Sequence, residues 1–570
     1  MTAVESRLAE LVAESSGDSV DVAHLLCDRH PADATAFRLV RADPESDTGI
    51  ATRAMTYGEL REASERVAQV LTDLGVGPGD RVATLMGKGE HYAPVVLGIW
   101  RLGGVHVPLF TAFAPSAIAA RLVPSQAKVV VADPSQATKL HPSQDLPAGD
   151  WQIVVAGTRE DVVSLSGQAG PDGEAVGNRL PMTALTEAMA SVRPGSASVS
   201  RPDTDPIITL FTSGTTGTPK AVPVPVRAIG YLASYVEFGL DVREDDVFWN
   251  VADPGWAYGL YYGIVAPLAL GRPNILLTEA FKPELMWAVT DHLGVTNLAG
   301  APTVFRALRA AGVPPSATGD ARRLRVISSA GEPLNPEMMT WAEQNLGQTI
   351  RDHYGQTEMG MCIINAWVEP LQGTLKPGSM GRPLPGYAAA VLADLDDTVL
   401  GPGEVGRVAI DVPNSPGMWF TGYAYGDERT AERFSEDGRW YYTGDAGQID
   451  EDGYFFFSSR DDDVILMAGY RIGPFEVEST LLTHPAVAEA AAIGVPDELR
   501  GEVLEAYVVT LPGTEAGDEL AEELKQHVKK HYAAHAYPRA IHFVDELPKT
   551  PSGKVRRVEL RERRRRQVSS

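Results

Sequence analysis

A chain of 570 residues exceeds what one hydrophobic core usually supports, and its 44% apolar content can fill two or more folding units. The formal net charge of −25 argues against nonspecific binding to nucleic acid or anionic membrane, because phosphate binding needs clustered cations. Two cysteines, Cys27 and Cys362, are too few and too far apart for a disulfide framework or a four-ligand zinc site, and a reducing cytoplasm fits them best.

The N-terminal MTAVESRLAELVAESS reads as a short acidic amphipathic helix without the basic and apolar regions of a secretion signal. From Asp80 to Pro108, an apolar strand (RVATLM), a helical stretch (HYAPVVLGIWRLGG) and a second strand (VHVPLF) form a βαβ pattern. The most apolar long stretch, Val95 to Phe110, is short for a membrane span and is interrupted by Arg101, so no membrane insertion is expected. Apolar runs at 128–132, 152–156, 207–211 and 324–328, each followed by a helical pattern, indicate α/β layering with parallel strands. The Gly-, Ser-, Pro- and Asp-rich stretch from Gly157 to Asp205 is expected to be a surface connection between two α/β lobes.

At Leu210 to Val222 an apolar strand enters the loop Thr212-Ser213-Gly214-Thr215-Thr216-Gly217-Thr218-Pro219-Lys220. Small residues let backbone N–H groups approach phosphate oxygens, hydroxyls add donors, and Lys220 adds a point charge. A P-loop NTPase would have Gly before the lysine and Ser or Thr after it, whereas Pro219 and Ala221 stand there. A structural Ser/Thr/Gly turn is the alternative for this loop in isolation.

Farther along come SSAGEPLNPE, DHYGQTEMG, YYTGDAGQIDEDGY, SRDDDVILMAGYRIGP and PKTPSGK. With TSGTTGTPK these six segments, in this order, resemble the motifs of the adenylate-forming (AMP-binding) superfamily, which includes acyl-CoA synthetases, carrier-protein adenylation domains and beetle luciferases. The likeness spans Thr56 to Arg557 and is greatest to the medium-chain acyl-CoA synthetases, with acetyl-CoA synthetases next. One departure is Pro223-Val224-Pro225, where the family usually carries a histidine a few residues past the loop.

The resemblance implies an α/β fold with a large N-terminal adenylate-forming domain, residues 1–461, and a small mobile C-terminal α+β domain, residues 462–570, hinged near Asp462. It implies Mg²⁺ as cofactor, ATP and CoA as co-substrates and a carboxylic acid as the third partner, in an enzyme that forms acyl-AMP and then acyl-CoA. Nucleic acid is not an expected partner, and a homo-oligomer is left open.

The ATP site implied by the resemblance comprises the loop from Thr212 to Lys220, the adenine segment Gly331-Glu332-Pro333, and Asp352-His353-Tyr354-Gly355-Gln356-Thr357. Asp445 is the implied ribose partner, Arg460 its companion, and Lys554 the lysine that enters the adenylation site. Tyr354 is expected to stack on adenine, Thr357 to contact the α-phosphate and carboxylate, and Glu358 to bind Mg²⁺, a hard cation suited to a carboxylate. Ala468, Gly469, Tyr470, Arg500, Tyr537, Pro538 and Arg539 are the implied CoA contacts. Trp256, Gly355 and Arg471 are the implied acyl-site residues. Acetyl-specific relatives carry a tryptophan where this chain has Gly355, so an acid larger than acetate is expected: medium-chain, aryl or bulky polycyclic.

The basic run RERRRRQVSS reads as a frayed, solvated helix end, with a polyanion-binding tail as the alternative. Rival functions are a stand-alone adenylation enzyme that loads a carrier protein, a luciferase-like oxygenase, and a non-enzymatic nucleotide-binding protein.

Overall fold

The computed structural model describes residues 2–167, 182–212, 219–314, 324–426, 428–460, 463–467, 470–497, 501–533, 536–549 and 554–568. Chain entry is a helix, Ala3–Glu14, started by a capping box in which Thr2 and Glu5 satisfy each other's backbone N–H. Arg7 fastens this helix through a two-pronged ion pair to Glu237.

The βαβ pattern folds as read: strands Arg81–Leu85 and Val105–Pro108 are parallel neighbours joined by helix Tyr92–Arg101. Arg101, the charge that interrupts the apolar run, is 2% exposed. Its guanidinium grips Asp28 with two bonds of 2.8 and 2.7 Å, the pairing a buried charge requires. Among the described residues no helix is long and apolar enough to cross a membrane.

These two strands belong to a seven-stranded sheet ordered Lys220–Pro225, Pro206–Thr212, Val105–Pro108, Arg81–Leu85, Val129–Ala132, Gln152–Val155 and Met182–Ala184. All its pairings are parallel except the first, the hairpin that carries the phosphate loop. The stretch from Gly157 to Asp205 is therefore not a link between lobes. It holds helices Arg159–Gly167 and Leu185–Ser191, adds Met182–Ala184 to the sheet, and returns to that same sheet at Pro206. Its polar composition hides apolar segments too short to show a period.

Pro223 and Pro225 are explained by this topology. Lys220–Pro225 is the edge strand, and residues two apart direct their backbone the same way, so both missing N–H groups fall on one side of a strand that has a free side.

A thirteen-stranded mixed sheet forms the second layer. Its parallel block runs from Thr35–Ala42 through Asn297–Gly300 and Val326–Ala330 to Arg351–Gln356, and antiparallel strands continue through Trp440–Ile449 and Phe455–Arg460. Gly331-Glu332 and Thr357-Glu358 thus follow the carboxyl ends of adjacent parallel strands, where open α/β sheets bind ligands.

Residues beyond 463 build a separate five-stranded sheet from Ile465–Met467, Tyr470–Ile472, Val487–Asp497, Gly501–Thr510 and Ala540–Phe543. Its own core includes Ile465, Val477, Leu481, Leu504, Leu524 and Val528. It meets the large part where Asn335 Nδ2 donates to Ser479 Oγ at 2.9 Å and Phe457 meets Phe475 edge-on, 6.0 Å between ring centres.

The basic C-terminus is a helix end with Arg563, Arg565 and Arg566 exposed, but as far as it is described it is neither frayed nor a free tail. Residues Arg557–Val568 form a helix. Arg557, Arg561 and Arg564 share one of its faces and pair with Glu478, Asp463 and Glu505 of the small sheet's domain. Leu560, between them, is fully buried.

Candidate active site

The hairpin that carries the phosphate loop closes with Thr212 paired to Lys220. The Lys220 ammonium stands 5.0 Å from the ring centre of Tyr423, a cation–π distance. Arg429 Nη2 reaches the carbonyl of Pro219 at 3.5 Å. Ser213 to Thr218 lie outside the described residues, as do Asp462, Ala468, Gly469 and Arg500.

Asp445 is the centre of the nucleoside side. Strand register sets it directly opposite Arg460, and the two form an ion pair of 3.3 Å. Tyr354 Oη donates to Asp445 Oδ2 at 2.5 Å, and Gln356 Nε2 donates to the same oxygen at 2.8 Å. Tyr441 Oη in turn donates to Gln356 Oε1 at 3.1 Å. Residues some ninety positions apart in sequence thus converge on one carboxylate that is 4% exposed.

Asp352 and Glu332 border this group. Asp352 Oδ2 accepts from the Leu334 N–H at 3.2 Å, while Oδ1 is buried with no partner among the described residues. Burial raises the Asp352 carboxyl well above the ordinary carboxylate range. Glu332 accepts from Thr303 Oγ1 at 2.8 Å and Arg306 Nη2 at 2.7 Å. Gly331, at φ +94°, makes the turn that starts this segment.

His353 departs from the sequence expectation of a nucleotide contact. It is 2% exposed, and both ring nitrogens are engaged within the protein, Nδ1 with Tyr235 Oη at 2.6 Å and Nε2 with the Asn365 carbonyl at 3.2 Å. Side chains alternate along a strand, so His353 faces the core while Tyr354 faces the cleft.

Gly355 also has a reason different from the one the sequence suggests. A Cβ there would come within 2.0 Å of the Gly360 carbonyl oxygen and 2.6 Å of Met361 Cα, at the bulge between Arg351–Gln356 and Gly360–Ile364. The glycine permits two backbones to touch, so an indole at this position would displace the neighbouring strand rather than simply fill a pocket.

Tyr261 Oη donates to the Thr357 carbonyl at 3.0 Å, fixing the turn after Arg351–Gln356 against the aromatic segment. Trp256, partly exposed, packs on Phe110 and Phe113 with ring centres 5.2 and 5.7 Å away. Glu358 is 5% exposed and accepts at Oε1 from Tyr423 Oη at 2.9 Å. Arg433 Nε donates to that Tyr423 hydroxyl at 3.1 Å, and its Nη1 donates to the carbonyls of Tyr442 and Thr443. Sequence reading missed Tyr423 and Arg433. Their only local signal is placement in TGYAYG and TAERF, ahead of YYTGD.

Among the described residues no three His, Cys, Asp or Glu side chains cluster as a metal cage. Glu358 with Oε2 left over suits Mg²⁺, which is commonly held by one or two carboxylates, water and substrate phosphates.

Lys554 is brought to this group from the small domain. Its side chain keeps solvent exposure, yet neighbouring protein atoms lower its pKa by desolvation. Glu332 and Asp445 act to raise it, and Arg460 to lower it. Tyr537 is flanked by Arg539, 4.0 Å from its ring centre, and by Lys529 at 5.4 Å, while Pro538 is buried. Tyr470 lies in the strand Tyr470–Ile472 with Arg471. A separate cavity of about 610 Å³ is bordered by Arg7, Glu14, Arg29, Glu237, Asp241 and Arg243. Its cations are paired to its acids, and none of the motif residues lines it.

Comparison with known proteins places this geometry. Residues 26–423 match the family model described as AMP-binding enzyme, and residues 476–554 match that of the AMP-binding enzyme C-terminal domain. An acetyl-coenzyme A synthetase of Bacillus subtilis is 36% identical over 510 residues, 89% of this chain and 84% of that protein. A mitochondrial acyl-coenzyme A synthetase of Rattus norvegicus is 35% identical over 513 residues, 89% of this chain and 83% of that protein. The crystal structure of an acyl-CoA synthetase from Brucella canis is 42% identical with a TM-score of 0.71, covering 98% of this chain and 97% of that one.

Proposed function

We propose an acid class and a division of labour for a chain that belongs to the AMP-binding enzyme family, as an AMP-forming, ATP-dependent ligase of the acyl-CoA synthetase kind. Its reaction joins a carboxylic acid larger than acetate to coenzyme A. The observation that carries this reading is Lys554, which shares one electrostatic neighbourhood with Glu332, Asp445 and Arg460 although it lies 94 residues past the last of them in the chain.

In the first half-reaction a carboxylate oxygen attacks the α-phosphorus of ATP, and the bond to the bridging oxygen breaks to release pyrophosphate. Two anions must meet, so the protein has to position them and offset their charge. Asp445 accepts from the ribose hydroxyls while Arg460, Tyr354 and Gln356 hold it in place. Asp352, with Gly331-Glu332-Pro333, borders the adenine. Lys220 and the loop before it hold the β- and γ-phosphates, and Thr357 the α-phosphate. Glu358 would hold Mg²⁺, which when bound screens charge on the triphosphate. Lys554 bridges the reacting carboxylate and α-phosphate.

In the second half-reaction the CoA sulfur attacks the acyl carbonyl and AMP leaves. The thiol needs the side that Lys554 occupies, so the small domain turns about Asp462 and exchanges Lys554 for the face bearing Ala468-Gly469-Tyr470. Arg500, Tyr537, Pro538 and Arg539 are the CoA contacts on that domain, and Arg471 accompanies the acyl site with Trp256. The acid class rests on the resemblance alone, in which acetyl-specific relatives carry a tryptophan at the position of Gly355.

A panel of acids incubated with ATP and Mg²⁺, with and without CoA, tests this. AMP, pyrophosphate and thioester should form together, with acids of four or more carbons exceeding acetate in kcat/KM by roughly tenfold or more. Thioester formation that is fastest with acetate would sink the acid assignment, and AMP without thioester would sink CoA as acceptor.

Tyr423→Phe keeps the ring beside Lys220 but removes the donor to Glu358. The Mg²⁺ concentration for half-maximal pyrophosphate exchange should rise about tenfold, as expected for one charge-assisted hydrogen bond. Mn²⁺ bound in the presence of ATP, read by electron paramagnetic resonance, should weaken in parallel. Identical metal affinities in the two proteins would remove Tyr423 from this role.

A further inference from the structure

Behind the aromatic segment, three side chains and one main-chain carbonyl form a single hydrogen-bonded chain. Tyr258 Oη lies 3.1 Å from Tyr235 Oη, Tyr235 Oη 2.6 Å from His353 Nδ1, and His353 Nε2 3.2 Å from the carbonyl oxygen of Asn365. The far end dictates where every proton sits. A carbonyl only accepts, so Nε2 carries the hydrogen. Burial lowers the His353 pKa to about 3, which keeps the ring neutral and makes Nδ1 an acceptor. Tyr235 must donate to Nδ1. Its one hydrogen is then used, so Tyr258 must donate to Tyr235.

The Tyr258 oxygen is left with lone pairs and no hydrogen to offer. It is also the open end of the chain: Tyr235 is 0% and His353 2% exposed, whereas Tyr258 keeps partial exposure beside Trp256 and Ala257. Tyr354 to Thr357 are likewise half-buried. The segment is held in place at both ends, because Asn250 Nδ2 donates to the Tyr258 carbonyl at 3.2 Å and Tyr261 Oη donates to the Thr357 carbonyl at 3.0 Å. A phenolic oxygen that can only accept, three residues before the tyrosine that holds the Thr357 carbonyl, discriminates by polarity as well as by size.

We propose that Tyr258 is a specificity-determining residue of the acyl site, its hydroxyl oxygen accepting a hydrogen bond from an O–H or N–H group carried by the acid. The preferred substrates are then hydroxy- or amino-substituted acids, ahead of alkyl acids and of keto or methoxy acids of the same size. This rests on the acyl-CoA ligase reading and on Trp256 and its neighbours bordering the acyl site.

The test uses the full-length enzyme and matched acids of one size: a donor-bearing acid, its methyl analogue and its acceptor-only analogue. The readout is the ratio of kcat/KM values in ATP–pyrophosphate exchange. The wild type should favour the donor-bearing acid over the methyl analogue by about tenfold, the scale of one hydrogen bond. Tyr258→Phe should bring that ratio near one. Tyr235→Phe frees the Tyr258 hydrogen for donation, so acceptor-only acids should gain on the methyl analogue by about the same factor. An equal donor-to-methyl ratio in wild type and Tyr258→Phe overturns the proposal, as does an unmoved acceptor-to-methyl ratio in Tyr235→Phe. Exchange with none of the acids overturns the ligase reading itself and this inference with it.

Discussion

Lys554→Ala is expected to slow pyrophosphate release by roughly 10²- to 10³-fold, the scale of losing one preorganised stabiliser of developing charge. Thioester formation from supplied acyl-AMP and CoA should be largely spared. The asymmetry follows from geometry. Lys554 shares the field of Glu332, Asp445 and Arg460, and in the proposed arrangement these groups surround the nucleotide where carboxylate meets phosphate. Once acyl-AMP exists that repulsion is gone, and the thiol requires the space Lys554 vacates. The two half-reactions are measured separately, by pyrophosphate exchange and by thioester formation from synthetic acyl-AMP. Equal loss in both would contradict the assignment of Lys554 to one arrangement of the small domain.

Arg557→Ala should cost the small domain about 3 kcal/mol, the usual result of removing one partner from a buried ion pair. Arg557 Nη2 donates to both oxygens of Glu478 at 2.8 and 2.7 Å, and Nη1 reaches Asp463 at 3.3 Å. Glu478 is 10% and Arg557 20% exposed at the side chain, so water replaces little of what is lost. Without Arg557, Glu478 keeps among the described residues only the Ala492 N–H donor at 2.8 Å. Hydrogen exchange in Val487–Asp497 reads the local stability. Replacing both partners by leucine should recover a large part of the loss, because an apolar pair needs no desolvation compensation. A single variant within about 0.5 kcal/mol of wild type would show that water or another cation takes over. The change should also reduce adenylation, since Arg557 lies three residues past Lys554, next to the Arg556 N–H bond of 2.8 Å to the Pro548 carbonyl that closes this loop.

The parts of the site that were legible in the sequence are those in which chemistry and spacing lie within a few residues. TSGTTGTPK shows small residues, hydroxyls and a lysine together, and DHYGQTE shows an aromatic, a hydroxyl and a carboxylate in one strand and turn. The βαβ pattern at 80–108 was legible because alternation and helical periodicity are local. Even the prolines at 223 and 225 were visible as a departure, although their harmlessness depends on lying at a sheet edge.

What was not legible depends on partners distant along the chain. Tyr423 and Glu358 are 65 residues apart, and Arg561 and Asp463 are 98 apart. Nothing in either local sequence announces the other. His353 reads as part of a nucleotide motif, and only its burial between Tyr235 and Asn365 turns it into a proton-directing link. Gly355 reads as room for an acyl group, and only the Gly360 carbonyl at 2.0 Å from its would-be Cβ shows what the missing side chain permits.

By itself, then, the sequence determined the family, the order of the chemical parts and the layered α/β frame, and it nominated Asp445, Glu358 and Lys554 as site residues. Those depend on covalent spacing and on periodicities of two and 3.6 residues, which any chain displays before it folds. The tertiary structure alone decided which carboxylates are held and by what. Strand register set Asp445 against Arg460, sheet packing buried His353, and docking of the last helix engaged Arg557, Arg561 and Arg564. The physical reason is that hydrogen bonds and ion pairs depend on distance in space, and the folded sheets set that distance over separations from 15 residues for Asp445–Arg460 to 118 for Tyr235–His353.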